Sequence, residues 1–342
     1  MLHVLTNLRA ALLAVIASSL VLGGCGSLTS TSTSSPAVVM DIDQAAINNL
    51  PPTASLPEPP GYEIVQVPSS LDGQEQNVAI VVPQDKLEEP MGLVIYLHGW
   101  SVGYTDRRPD IEAAAAERGW LLAIPDYRGP FVNHCGNEFA QQDILDVVSW
   151  AKSNYSIDES KIYLVGFSGG GFMSLIMAHR HPEVWAAVSA WSGFADLLVM
   201  YEKDKGNRYG ASMRECFGGD PDLSADIRDM INQRSPINHF EPGLHLPPLD
   251  LNGQLGDGLV PVQNSLRAFR ALAPGLVSDQ DIEEFAPNAE IPAGETLRMD
   301  PLSGRQIYLR RALDDLRVTV RPGNHEVLGE PAFQWFDQFT RR

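Results

Sequence analysis

Lys161-Ile162-Tyr163-Leu164-Val165 runs directly into Gly166-Phe167-Ser168-Gly169-Gly170, a G-x-S-x-G pentapeptide between a strand-like apolar segment and a helix-like one. The spacing has a physical reason. A strand that turns abruptly into a helix forces the residue at the bend into a strained backbone conformation, and flanking glycines leave room for it. The Ser168 hydroxyl is then projected above the sheet at the positive end of the helix, where backbone N–H groups stabilise developing negative charge. Such a hydroxyl attacks carbonyl carbon. It is a weak nucleophile alone, so it needs a general base within hydrogen-bond reach and a carboxylate to orient that base.

A bend of this kind resembles the nucleophile elbow of α/β-hydrolases, in which the chain order is serine, acid, histidine. The resemblance confines the base to the histidines beyond the elbow helix, His239, His245 and His325. His325 is assigned as the base. It lies in Pro322-Gly323-Asn324-His325-Glu326, directly after an apolar strand, Arg317 to Val320, and a loop there can return the imidazole to Ser168. His239 and His245 have no strand before them and are read as packing or substrate-binding groups. His179 and His181 end a helix, where a cation suits the dipole, and His134, beside Cys135, is a candidate for lining the site. The acid is placed at Asp257, in Leu255-Gly256-Asp257-Gly258-Leu259-Val260-Pro261, after a short strand and before a helix. Asp250 and Asp196 are its rivals, and Asp-Gly is also a plain turn signal. Two oxyanion donors complete the set: the backbone N–H of Gly169, and that of Trp100 in His98-Gly99-Trp100-Ser101, a sequence similar to a shortened His-Gly oxyanion turn. His98 and Gly99 could equally do no more than shape that turn.

Strands and helices must alternate to hold these residues. Tyr62 to Val67 and Asn77 to Val82 flank the turn signal Asp72-Gly73 and read as an antiparallel hairpin. Leu93 to Leu97, Trp120 to Ile124, Lys161 to Gly166, Val184 to Ala190 and Leu249 to Leu251 read as strands, and Arg317 to Val320 as the strand that closes the sheet. The helices are expected over Asp110 to Arg118, Glu138 to Ser153, Phe172 to His181, Val262 to Leu272 and Pro331 to Thr340. The alternation implies an α/β class chain with the α/β-hydrolase fold: a mostly parallel central sheet, helices on both faces, and long lid or cap loops. Two excursions break the rhythm, Ala195 to Pro247 and Pro274 to Asp315, and both are expected to carry specificity.

Further pieces resemble the catalytic domain of the prolyl oligopeptidase family: Asp126-Tyr127-Arg128-Gly129 after a strand, Arg234-Ser235-Pro236 in the first excursion, and Asp257-x-x-Val260-Pro261 before a helix. The similarity runs from about Gly61 to Thr340. It implies a serine hydrolase cleaving ester or peptide bonds, with Ser168, Asp257 and His325 as the triad and no cofactor or metal. The chain departs from the family in three places. The residues ahead of Gly61 are too few to build the family's β-propeller, the usual His-Gly-Gly is His98-Gly99-Trp100, and the strand before the acid ends in Asn252-Gly253 rather than His-Gly. Single-domain relatives include esterases for plant polysaccharides, polyhydroxyalkanoates and small acyl groups. The alternative class is a catalytically silent relative that binds a ligand at the cell envelope.

With 342 residues, 44% of them hydrophobic, the chain can bury a full core, and a net charge of −18 opposes nucleic acid as a partner. Residues 1–24 read as a signal peptide, with Arg9 ahead of an uncharged apolar run. The run ends in Leu22-Gly23-Gly24-Cys25, which resembles the lipobox of bacterial lipoproteins and implies a lipidated Cys25, export to the cell envelope and a membrane anchor. Residues 25–60 are rich in Ser, Thr and Pro and read as a tether, and residues 61–342 as the catalytic domain. The two remaining thiols, Cys135 and Cys216, permit one pairing in an oxidising compartment; a disulfide and two free thiols both stay open. No metal-ligand spacing is visible. The partner expected is a small ester or peptide substrate.

Overall fold

β3 (Met91–Leu97) is buried along its whole length, with Leu93, Ile95 and Leu97 on one face of the sheet and Val94 and Tyr96 on the other. That pattern belongs to a strand covered by helices on both sides. It is found in a computed structural model that describes residues 58–84, 90–285, 298–300 and 304–341. The signal segment, Cys25 and the tether as far as residue 57 lie outside the described residues.

The strands are β1 (Tyr62–Pro68), β2 (Glu75–Val81), β3, β4 (Leu121–Pro125), β5 (Ile157–Phe167), β6 (Ala187–Trp191), β7 (Leu249–Gln254), two short pieces β8 (Arg298–Met299) and β9 (Gln306–Ile307), then β10 (Leu309–Leu313) and β11 (Leu316–Arg321). Nine form one sheet in the order β1-β2-β4-β3-β5-β6-β7-β11-β10, parallel from β4 through β11 and antiparallel at the two ends. The helices are α1 (Pro109–Arg118), α2 (Glu138–Asn154), α3 (Gly169–Arg180), α4 (Leu197–Asp204), α5 (Arg208–Phe217), α6 (Ala225–Arg234), α7 (Gln263–Leu272), α8 (Asp279–Glu284) and α9 (Gly329–Phe336). Residues of α2, α3 and α7 share one core with the sheet, and those of α1 and α9 the other. The fold is thus the mostly parallel α/β architecture expected from the alternation.

Three details differ from the sequence reading. The sheet is closed by β10, which folds back antiparallel on β11 from within the second excursion; Leu309 and Val320 pair across it, and the charged sequence Leu309-Arg310-Arg311 hides a strand in which Arg310 donates to Thr319 Oγ1 and Asp300 Oδ2. The elbow helix begins at Gly169, not Phe172. Its glycines are there for close approach rather than as helix breakers: a Cβ on Gly170 would sit 2.0 Å from Leu97 O, and one on Gly171 2.8 Å from Gly193 Cα. Finally, only the first excursion, folded as α4, α5 and α6, reaches the site. None of the described residues of the second lines it.

Candidate active site

Ser168 stands at the end of β5 with φ 58° and ψ −116°, a conformation that costs about 1–3 kcal/mol for a side chain with a Cβ. The surroundings hold it there. Its N–H donates to Trp191 O at 2.9 Å on the neighbouring strand, and its carbonyl accepts from Phe172 N at 3.0 Å in the first turn of α3. Gly166 must be glycine, because a Cβ there would lie 2.1 Å from Gly170 O. Ser168 lines a cavity of about 210 Å³.

His325 lines the same cavity. Its Nδ1 lies 2.7 Å from Asp257 Oδ2. An ionised carboxylate only accepts, so Nδ1 carries the proton and the lone pair is left on Nε2. Asp257 is 1% exposed, and its other oxygen accepts from Leu259 N and Val260 N, both at 2.9 Å. The Asp-Gly turn therefore does two things with one side chain: it closes the loop and points the free oxygen at the imidazole. Below, the His325 ring rests on Phe167, with centroids 4.7 Å apart. No hydrogen bond among the described residues joins the Ser168 hydroxyl to His325. Catalytic hydrogen bonds are often long until a substrate is seated.

The backbones of Gly169 and Trp100, the two expected donors, also come close together. Gly169 is the first residue of α3, where an N–H has no intrahelical acceptor, and a Cβ built on it would be 3.2 Å from Trp100 N. Trp100 is pinned by Phe131 N, which donates to its carbonyl at 2.9 Å, and by stacking on the Phe131 ring at 4.1 Å. The Asp126-Tyr127-Arg128-Gly129 segment supports this loop from beneath. Tyr127 Oη donates to His98 O at 2.8 Å and its ring stacks on His98; Asp126 Oδ1 accepts from Tyr104 N at 3.2 Å. Arg128 binds Asp143 and Asp72 through pairs of contacts between 2.7 and 3.0 Å.

The rival residues have other roles. Asp250 is buried against Arg317 Nε at 2.8 Å. Burial pushes its carboxyl up, but Arg317 and the neighbouring hydrogen bonds outweigh that and hold it below its ordinary value. Asp196 caps α4, accepting from Leu198 N and Val199 N. His98 is fully buried in its turn, and burial lowers its basicity. His134 does not line the cavity. It is buried among Tyr127 and Phe131, accepts from Gly136 N at 3.1 Å, and burial pushes it down to about 3. His179 and His239 stack on each other with centroids 4.8 Å apart, away from Ser168, and His245 is exposed. Ser235 Oγ accepts from Leu197 N and donates to Ile231 O, so the Arg-Ser-Pro segment ties α4 to α6. Cys135 and Cys216 form a disulfide, which fastens α5 to the loop after β4.

Sequence reasoning passed over the cavity's other walls. Phe194, Met200, Tyr209 and Met213 join Trp100 in an apolar side drawn largely from the first excursion, and Arg108, Arg208 and Asp204 bring charge to the lining. Apart from Trp100, none belongs to a motif. Gln254 was also missed: buried at the end of β7, it accepts from Ser192 Oγ at 2.6 Å and donates to Glu326 O at 3.0 Å, next to His325. Among the described residues no group of three or more His, Cys, Asp or Glu side chains could hold a metal.

A sequence model of the prolyl oligopeptidase family matches residues 110–286, a span that contains Ser168 and Asp257. Acetylxylan esterase A of Aspergillus ficuum is 28% identical over 128 residues, covering 33% of this chain and 41% of the esterase. An uncharacterized peptidase of Bacillus subtilis is 27% identical over 176 residues, covering 50% of this chain and 65% of the peptidase. The match therefore spans less than two thirds of either relative. The acylaminoacyl peptidase of Pyrococcus horikoshii superposes with a TM-score of 0.55 at 16% identity, over 80% of this chain and 39% of that one, a likeness of fold.

Proposed function

Because the chain belongs to the prolyl oligopeptidase family, whose model matches over half its length, we propose that it is a serine hydrolase acting on ester or peptide bonds through an acyl-enzyme. One observation carries the reading. A serine held at φ 58° shares a cavity with an imidazole whose Nδ1 is 2.7 Å from a buried carboxylate. In the proposed reaction His325 Nε2 takes the proton of Ser168 Oγ as that oxygen attacks the substrate carbonyl. Asp257 keeps Nδ1 protonated and stabilises the imidazolium. The carbonyl oxygen becomes an oxyanion between the N–H groups of Gly169 and Trp100. Collapse expels the alcohol or amine, which takes its proton from Nε2, and water then releases the acyl group by the same steps in reverse.

The choice between ester and amide is made by the leaving group and the cavity walls, since the chemistry at Ser168 is common to both. The test is labelling by a fluorophosphonate probe, combined with turnover of short acyl esters, feruloyl and acetyl sugar esters, and prolyl amides. Covalent labelling that disappears in Ser168→Ala, with turnover of at least one class, is expected. Folded protein that neither labels nor turns over any of them would overturn the reading in favour of a ligand-binding relative.

We also infer an exported protein held to a membrane through a lipid on Cys25. Leu22-Gly23-Gly24-Cys25 supports this, and so does the Cys135–Cys216 disulfide, a bond that persists in oxidising compartments. Incorporation of labelled palmitate that is lost in Cys25→Ser is the expected outcome; incorporation that survives the substitution would remove the anchor from this residue.

A further inference from the structure

The two sides of the cavity differ in chemistry. On the side of Trp100, an oxyanion donor in the reading above, Tyr209 packs edge-on at 6.0 Å and Phe194 at 6.4 Å. On the other, the Phe167 ring carries His325 at 4.7 Å and the Arg108 guanidinium at 4.9 Å. The departing atom of a substrate must lie over His325 Nε2, because that nitrogen protonates it. Arg108 therefore stands beside the leaving group, and the aromatic side beside the acyl chain.

Arg108 is held in place from behind. Its Nε donates to Tyr96 Oη and its Nη2 to Asp106 Oδ2, both at 3.2 Å, while Tyr96 Oη donates to the same Asp106 oxygen at 3.0 Å. Nη1 has no protein acceptor among the described residues, and the residue lines the cavity. A guanidinium fixed on two of its three nitrogens, on a residue that lines a mostly apolar cavity, is pre-organised to receive an anion at little entropic cost. The molecule as a whole carries −18 and repels anions, so the attraction is local to this wall.

Building on the serine hydrolase reading, the geometry points to Arg108 as the anchor for a carboxylate on the leaving group: the substrate is an ester of a short hydroxy acid, or an acyl-amino acid with a free C-terminus. Ser168 Oγ bonds to the acyl carbon as the bond to the departing oxygen or nitrogen breaks. That atom takes the proton from His325 Nε2, and the hydroxy acid or amino acid leaves with its carboxylate still ionised, to be released from Arg108. Water then cleaves the acyl-enzyme.

The experiment compares matched pairs, O-butyryl glycolate with O-butyryl glycolamide and N-butyryl glycine with N-butyryl glycinamide, by release of butyrate. The acid is expected to exceed its amide in kcat/KM by about tenfold or more in at least one pair, the size of a hydrogen bond to a charged group. The ester pair reports the hydroxy acid source and the amide pair the amino acid source. Arg108→Gln should bring the ratio close to one. Equal kcat/KM within both pairs in the native protein overturns the inference, as does a parallel loss on acid and amide in Arg108→Gln, the behaviour of an arginine that only ties Tyr96 and Asp106. A measurement on the native protein guards against a variant that does not fold: glycolate should compete with p-nitrophenyl butyrate more strongly than glycolamide, and equal competition counts against Arg108. If the fluorophosphonate still labels Ser168 while the ratios are one, this inference fails alone. If nothing labels, the hydrolase reading fails and takes this with it.

Discussion

Asp257 uses one carboxylate oxygen to close a turn, accepting from Leu259 N and Val260 N, and the other to hold His325. Asp257→Asn keeps the size and much of the turn but presents an amide to Nδ1, which favours the wrong imidazole tautomer. We expect kcat to fall by roughly 10⁴-fold with an unchanged unfolding midpoint; a loss under tenfold in steady-state kinetics would show that the carboxylate is not the orienting group. His134 makes a different prediction. Burial, helped by like-charged neighbours, pushes it down to about 3, so in acid the unfolded chain binds a proton there that the folded chain refuses. Stability from this group is present above its ordinary value near 6.5 and is lost as pH falls from there towards 3. Between pH 7 and pH 5 the loss is about 2 kcal/mol, and denaturant unfolding of His134→Gln should show a shallower decline over that interval than the native chain.

At the scale of an element, the end of β7 determines where His325 sits. Gln254 bridges Ser192 Oγ on one side to Glu326 O on the other, and Gly256 N donates to Gly323 O at 2.9 Å in the same loop. It touches no reacting atom, so it is a positioning residue. Gln254→Leu should lower kcat about tenfold, as a misplaced base does, while KM stays within about twofold because the cavity walls do not depend on it. A rise in KM with kcat intact would instead assign Gln254 to substrate binding. The loop that carries Trp100 has a comparable support in Tyr127, whose hydroxyl and ring both meet His98. The His325 loop and the Trp100 loop thus each rest on a buried side chain from a neighbouring strand end.

For the whole molecule, α9 fastens the loop that carries His325 to the core on the far side of the sheet. α9 follows the His325 loop and docks on the face opposite α3, where Tyr163 stacks on Phe336 at 4.9 Å and Trp120 lies between Tyr163 and Phe333. Gly329 N donates to Asp110 Oδ2 at 2.7 Å, which fixes α9 against α1. The segment that follows the His325 loop therefore completes the core on that face of the sheet. Truncating a buried phenylalanine costs about 3–5 kcal/mol, so Phe333→Ala should lower the thermal midpoint by roughly 10 °C and lower activity at temperatures where α9 frays. A calorimetric shift of only a degree or two would mean that α9 is dispensable to the core.

What the amino-acid order determined by itself is local. The β5–α3 bend could be read at Gly166 to Gly170 because steric room is a property of adjacent residues, and the alternation of strands and helices because burial on two faces leaves unbroken apolar runs such as Leu93 to Leu97. The strand β10 was hidden because two adjacent arginines read as exposed chain, and the partners of Arg310, namely Asp300 and Thr319, are set beside it only by the fold. The start of α3 was misplaced because glycine reads as a helix breaker until the backbone that passes close to it is known. Spacing could nominate Asp257, His325, Cys135 and Cys216, but only the tertiary structure brought each pair within bonding distance, since contact across 68 or 81 residues depends on how the strands order themselves in the sheet. Arg108 and Gln254 were not legible at all, and although the first excursion was expected to carry specificity, the side chains that form its apolar wall were not. They belong to no motif, and their roles come entirely from what the fold sets beside them.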